Sequence, residues 1–186
     1  MSKKVTAVIV GKFQPYTSAH QHITDSALDE HDYVVVLVAG SNVPRSRRNP
    51  WSWTERADMV ISAHPGDEHR LQVMPLHDNE DEKAWLRSIK GLAEAASPPG
   101  NELVLFNSRP TLEKIDGWKP EPHEWPIKIG GHGLMHSADI RKLYFEVGSF
   151  EAKVENDVPL STLARMQQFI DGRLLDSLRA QGDSWV

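Results

Sequence analysis

The strongest constraint on the fold is a repeated change of hydrophobic period along the chain. Val5-Thr-Ala-Val-Ile-Val10 is β-branched and almost continuously apolar, and Tyr33-Val-Val-Val-Leu-Val-Ala39 repeats the pattern. Runs of this kind suit strands buried on both faces. Between them, residues 18–30 set Ile23, Ala27 and Leu28 at helical spacing, which makes a strand, helix, strand unit long enough for a parallel crossover. The alternation continues. Ser52-Trp-Thr-Glu55 has the form of a capping box and predicts a helix from about Trp53 to Ala63. Leu71 to Pro75 reads as a third strand, Asp81 to Ala96 as a helix with an acidic first turn, and Glu102 to Asn107 as a fourth strand after the break at Ser97-Pro-Pro-Gly100. Thr111 is expected to cap a short helix ending near Gly117, and Pro126 to Gly130 to form a weaker fifth strand. Ser137 is expected to cap a helix through Glu146. Pro159 or Ser161 opens a last amphipathic helix with Leu163, Met166, Phe169, Ile170 and Leu174 on one side. The expectation is an α/β fold, a Rossmann-like parallel sheet with helices on both faces, as one domain over residues 1–186 with a C-terminal helical segment from about 159. In such sheets ligands sit at the carboxyl ends of the strands, where the loop after Val10 should lie.

Charge narrows the function. With 26 acidic and 21 basic side chains the net charge is −5, which disfavours a partner such as long nucleic acid, whose phosphates need a broad basic face. The chain has no cysteine, so disulfide scaffolds, thiolate metal sites and cysteine nucleophiles are excluded. The apolar run at the start stops at Gly11-Lys12, too short for a signal peptide, and nothing approaches the roughly 20 apolar residues of a membrane span. A cytoplasmic, soluble protein is expected. Against the acidic background, Arg45, Arg47, Arg48 and Arg56 cluster with only Glu55 opposing them. A small polyanion such as a nucleotide is the natural partner of such an island, because arginine matches phosphate with paired donors.

The loop Gly11-Lys-Phe-Gln-Pro-Tyr-Thr-Ser-Ala-His20 lacks the glycine spacing of a phosphate loop or a dinucleotide fingerprint. It offers instead a strand ending in glycine, a proline-stiffened turn, and Thr17 and His20 at the start of a helix, where backbone donors favour an anion. This segment resembles the signature of the nucleotidyltransferase superfamily, Gly-Arg-Phe-x-Pro followed by His/Thr-x-Gly-His. Gln14 makes it similar to nicotinamide-nucleotide adenylyltransferases of the archaeal type and to the adenylyltransferase half of bifunctional adenylyltransferase/Nudix proteins. Three further segments agree in order: Gly40-Ser-Asn with Arg48-Asn-Pro-Trp-Ser-Trp-Thr-Glu-Arg56, Pro75-Leu-His-Asp78 through Ala84-Trp85-Leu86, and Ser137-Ala-Asp-Ile-Arg141. The resemblance covers most of residues 5–146.

It implies adenylyl transfer from ATP to nicotinamide mononucleotide, giving NAD and pyrophosphate without a covalent intermediate. Catalytic roles would fall to His20, Thr17, Lys12 and Arg48. ATP would meet Gly11, Phe13, Gln14, His20, Ser137 and Arg141, and nicotinamide mononucleotide would meet Trp85, Asp78 and Arg48, with Trp85 against the pyridine ring. Arg45 and Arg47 are weaker candidates for phosphate contact. Mg2+ would be held by phosphate oxygens and water, with no protein ligand, and relatives of this kind form homo-oligomers. The departures are Ala19 for the signature glycine, Thr17 for the first histidine, and Phe106-Asn-Ser-Arg109 for a Gly-His-x-Lys-Asp stretch. At this length a stand-alone adenylyltransferase, without a Nudix domain, is expected. Two other readings keep the fold: adenylyl or cytidylyl transfer to another phosphorylated metabolite, and a non-catalytic nucleotide sensor.

Overall fold

In the computed structural model, which describes residues 3–106, 112–115, 117–121, 128–129, 132–147, 154 and 156–180, the apolar runs are strands whose alternate side chains enter two separate cores. β1 (Val5–Gly11), β2 (Tyr33–Ala39), β3 (Leu71–Leu76), β4 (Glu102–Phe106) and β5 (Lys119–Glu121) form one sheet in the order β3-β2-β1-β4-β5, and every pairing is parallel. Ala7, Ile9, Val34, Val36 and Val38 face one core, whereas Val8, Val35 and Leu37 face the other. Two covered faces are why neither run alternates with polar residues.

Helices α1 (Ser18–Glu30) and α2 (Trp53–Ala63) cover the first face with Ile23, Ala27, Leu28, Met59 and Val60. Helix α3 (Glu82–Ala96) covers the second with Ile89 and Ala93, joined by Leu112 and Ile115 at the 3-10 turn Leu112–Lys114. Three later helices, α4 (Ser137–Val147), α5 (Leu160–Asp171) and α6 (Leu174–Ala180), add Ile140, Tyr144, Met166, Phe169, Leu175 and Leu178 to the first core. The fold is Rossmann-like. Register sets where a ligand can enter: Gly11 pairs with Val38 and Ala39 with Leu76, so β1, β2 and β3 end side by side and their loops open along one edge.

Three expectations need correction. The fifth strand of the sheet is Lys119–Glu121; residues 128–129 form β6 (Lys128–Ile129), which pairs antiparallel with β7 (His132–Gly133) apart from the main sheet. Pro120 is tolerated in β5 because, among the described strands, that one lies at the sheet edge. The last helix is two helices. It stops at Gly172, Arg173 takes a left-handed φ of 59°, and Leu174, 39% exposed, starts the next one. Ser137 lies inside α4 rather than before it, and the first-turn amides of Asp139 and Ile140 donate to the His136 carbonyl. Asn107, the capping role of Thr111 and the stretch 107–109 lie outside the described residues.

The capping box at α2 is formed: the Ser52 amide donates to Glu55 Oε2 at 2.8 Å and the Glu55 amide to Ser52 Oγ at 3.3 Å. Glu55 also takes a forked pair of bonds from Arg45, at 2.7 and 3.0 Å. Burial opposes its ionisation, but the bonds from Arg45 and Ser52 outweigh burial and hold the carboxyl below its usual range. A carboxyl depressed in the folded state stabilises above its unfolded pKa, and that contribution disappears as pH falls through the folded value. Glu55→Ala is therefore expected to cost about 1–2 kcal/mol at pH 7, roughly 4 °C in Tm. Thermal unfolding should show the difference from the parent shrinking toward pH 3, and a gap that stays constant with pH would refute the assignment.

Candidate active site

The loop between β1 and α1 is folded back on itself and tied at several points. A Cβ on Gly11 would stand 2.6 Å from the ring of Phe13, so only glycine lets that ring close over the strand end. Phe13 takes a left-handed φ of 49°. The buried amide of Gln14 is matched in both directions to one residue: Gln14 Nε2 donates to the Trp51 carbonyl at 2.8 Å and the Trp51 amide to Gln14 Oε1 at 3.1 Å. The first loop is thereby fastened to the segment that follows Arg48. Ser137 Oγ donates to the Pro15 carbonyl at 3.3 Å, and Arg141 Nη1 donates to the Gln14 carbonyl. These bonds bring the start of α4 to the same edge.

Thr17 is the N-cap of α1, and His20 sits at its third position. His20 Nδ1 lies 3.0 Å from the Thr17 amide nitrogen and 2.7 Å from Thr17 Oγ1. A backbone amide can only donate, so Nδ1 accepts and a neutral ring carries its hydrogen on Nε2. The ring is thus arranged to present a donor from its other side.

These ties create a cleft of about 300 Å³ lined by Lys12, Phe13, Gln14, His20, Arg48, Asn49, His136, Ser137, Ala138 and Arg141. No acid lines it. Burial, and next the nearby charge of Arg48, lowers the Arg141 pKa from its usual value. Two guanidinium groups held within range of each other's charge are relieved when an anion enters. Lys12 Nζ meets Asp78 Oδ2 at 3.1 Å, and Asp78 is held in turn by a two-way backbone clamp with Asn42, at 2.8 and 3.1 Å. A second cavity, of about 560 Å³, shares Arg48, Ala138 and Arg141 with the cleft and adds Asp139 and Lys142.

Of the residues singled out from sequence, Lys12, Phe13, Gln14, His20, Arg48, Ser137 and Arg141 line this one cleft. Gly11 stands behind it, making room for Phe13. Thr17 is 1% exposed and engaged with His20. Ala19 is buried and outside the lining. Asp78 meets the site through Lys12. Trp85 packs against the second core, half-buried, and its buried indole N–H has no protein acceptor among the described residues. The arginine island divides. Arg45 pairs with Glu55 and the Pro50 carbonyl and lies 5.7 Å over the Phe169 ring. Arg47 donates to the Arg179 carbonyl at 2.7 Å and to that of Leu178, binding the loop to the end of α6. Arg56 is 2% exposed and hydrogen-bonded to backbone carbonyls. Only Arg48 of the four lines the cleft. Asn49 and His136 were missed, although each adjoins a residue that was chosen.

Residues 8–91 match the family described as cytidylyltransferase-like. Over a longer span the chain is 26% identical to a nicotinamide-nucleotide adenylyltransferase of Methanocorpusculum labreanum, covering 86% of this chain and 94% of that one. It is 24% identical to a nicotinamide/nicotinic acid mononucleotide adenylyltransferase of Acinetobacter baylyi, covering 95% of each. Among solved structures, a bifunctional NMN adenylyltransferase/ADP ribose pyrophosphatase of Francisella tularensis, complexed with AMP and a manganese ion, superposes with a TM-score of 0.78 at 16% identity. The match covers 95% of this chain and 52% of that one, so the chain spans about half the length of the bifunctional protein. The sheet order, the parallel pairings and this superposition together show a Rossmann-like, nucleotidyltransferase-type fold. Among the described residues, no helix is long and apolar enough to cross a membrane.

Proposed function

We propose that the chain is an adenylyltransferase that moves AMP from ATP to nicotinamide mononucleotide. The observation that carries this reading is the convergence of Lys12, His20, Arg48 and Arg141 on one cleft at the carboxyl edge of the sheet. The near full-length likeness to nicotinamide-nucleotide adenylyltransferases supports the choice of substrates.

The chemistry suits these side chains. A 5′-phosphate oxygen of the mononucleotide attacks the α-phosphorus of ATP in line, a new P–O–P bond forms, and the bond to the β-phosphate oxygen breaks to release pyrophosphate. The nucleophile is already an anion, so no strong base is needed. The barrier lies in bringing two polyanions together and stabilising the charge that develops on phosphoryl oxygens. Lys12, Arg48 and Arg141 supply positive charge, and His20 supplies a fixed neutral donor toward the α-phosphate. Magnesium would enter with ATP, held by phosphate oxygens, and would supply further charge neutralisation; the cationic lining fits the phosphates, not the bare metal. Thr17 acts through His20 rather than on phosphate.

The test is purified protein with ATP, magnesium and nicotinamide mononucleotide, reading NAD and pyrophosphate together, with a parallel arm containing nicotinic acid mononucleotide. Turnover only with a different phosphorylated acceptor would overturn the substrate assignment, and ATP binding without any turnover would make the chain a sensor.

Trp85 gives a second check. A buried donor without a protein acceptor marks a group that is completed by water or ligand, and stacking on a pyridine ring uses the indole face. Trp85→Ala is expected to raise the KM for the mononucleotide about 5–10-fold, with kcat nearly unchanged. A loss of Tm at constant KM would make Trp85 a core residue alone.

A further inference from the structure

Behind His20 lies a chain of polar contacts that the proposed reaction does not use. The ring of Tyr16 is fully buried and stacks on that of His20, with centroids 5.6 Å apart and planes 19° from parallel. Phe13 meets the same imidazole edge-on at 5.0 Å. The phenol oxygen of Tyr16 is 2.9 Å from Thr24 Oγ1 and 2.8 Å from His64 Nε2. His64 closes the end of α2 with its side chain 1% exposed, and its Nδ1 lies 2.9 Å from Asp25 Oδ1. Asp25 is on α1 with half its side chain in solvent. A continuous path therefore runs from a surface carboxylate through two buried rings to the histidine that lines the cleft.

Hydrogen accounting limits how the path can be ordered. A carboxylate only accepts, so His64 Nδ1 carries a hydrogen. Burial holds the Tyr16 phenol far above its usual pKa, so it keeps its single hydrogen. That hydrogen goes to Thr24 Oγ1, which donates in turn to the His20 carbonyl at 3.0 Å. When it points instead to His64 Nε2, the one hydrogen of Thr24 serves either the phenol oxygen or the His20 carbonyl. In either pattern each of these polar atoms lies within 3.0 Å of another. A buried network connected in this way fixes its members in one geometry.

Nothing about packing requires this. A phenylalanine at position 16 would fill the same space, and a leucine at the end of α2 would avoid burying an imidazole. We propose that Tyr16, held by His64 and Asp25, is a positioning residue that fixes the ring of His20 for phosphate contact. The inference rests on the adenylyltransferase reading for its kinetic test and on geometry alone for its spectroscopic one.

Tyr16→Phe keeps the stack and deletes both hydroxyl contacts; His64→Leu removes the support, and His64→Gln restores a donor and an acceptor. Tyr16→Phe and His64→Leu are each expected to lower kcat about tenfold, a displacement effect of the kind that distant misplacement produces, with the KM for ATP within about twofold; His64→Gln should recover most of the loss. In a His20→Ala background neither substitution should lower the rate further, because both act through His20. Equal fold losses in the two backgrounds would overturn the proposal. If His64→Leu does not fold, Tyr16→Phe and His64→Gln decide the matter. If the parent protein makes no NAD, the adenylyltransferase reading fails and nitrogen-15 spectra of the histidine rings decide this inference alone. His20 is expected to be a single Nε2–H tautomer in the parent and a mixture in Tyr16→Phe. An unchanged His20 ring spectrum would refute the positioning role.

Discussion

His20→Ala is expected to lower kcat about 10²–10³-fold, the range measured when one preorganised donor is removed from a developing oxyanion. The expectation follows from how the ring is held. Nδ1 is committed to Thr17 by two contacts, at 3.0 and 2.7 Å, and Phe13 and Tyr16 hold the ring from an edge and a face. The imidazole therefore reaches the reaction already oriented, and its donor costs no reorganisation when charge builds on the α-phosphate. Ground-state binding relies more on the full charges of Lys12, Arg48 and Arg141, so the KM for ATP should change only a few-fold. The fold should survive, with a loss of about 1 kcal/mol as the side-chain half of the α1 capping box is deleted. Initial rates of NAD formation beside a thermal melt separate these effects. Near-normal turnover with an intact melt would show that the cleft does its chemistry without His20, and an unfolded variant would shift the test to His20→Gln.

Much of this arrangement is legible in the sequence. The bounds of β2, α1 and α2 followed from the runs at 33–39 and 18–30 and from the Ser52/Glu55 capping box, because those signals are local. Strand β5 was not legible: Lys119-Pro-Glu has no strand signature, and only pairing with residues 104–106 makes it one. The cleft was legible where residues sit in a recognisable motif, as with Lys12, His20, Ser137 and Arg141. The arginine island was not, because charge density cannot say which guanidinium meets water, which a carboxylate and which a backbone carbonyl. Those partners come from remote parts of the chain, such as the Arg179 carbonyl for Arg47. The His64 support of Tyr16 was hidden for the same reason, since it spans 48 positions.

Arg56 is where that lesson has its largest energetic consequence. Its guanidinium is buried, and Nη1 donates to the carbonyls of Lys12 and Ala39 at 2.6 and 2.7 Å, Nη2 to that of Gly40 at 3.2 Å, and Nε to that of Ser52 at 3.2 Å. Burial lowers its pKa to about 10, opposed by the charges of Asp78 and Glu55, so it remains protonated at neutral pH. One side chain thus joins the β1 loop, the end of β2 and the start of α2. Arg56→Met fills similar space but leaves three remote carbonyls without this donor, and it is expected to cost about 3–5 kcal/mol. Arg56→Lys retains the charge, yet a single ammonium cannot reproduce the fork, so about 2 kcal/mol should still be lost. Urea denaturation of both variants measures this directly. Because Lys12 and Gly40 lose their common anchor, ATP affinity should fall in the folded fraction even though Arg56 does not line the cleft. A stability change below about 1 kcal/mol for Arg56→Met would mean that water replaces the fork at little cost, and the guanidinium would then not be what holds the three loops together.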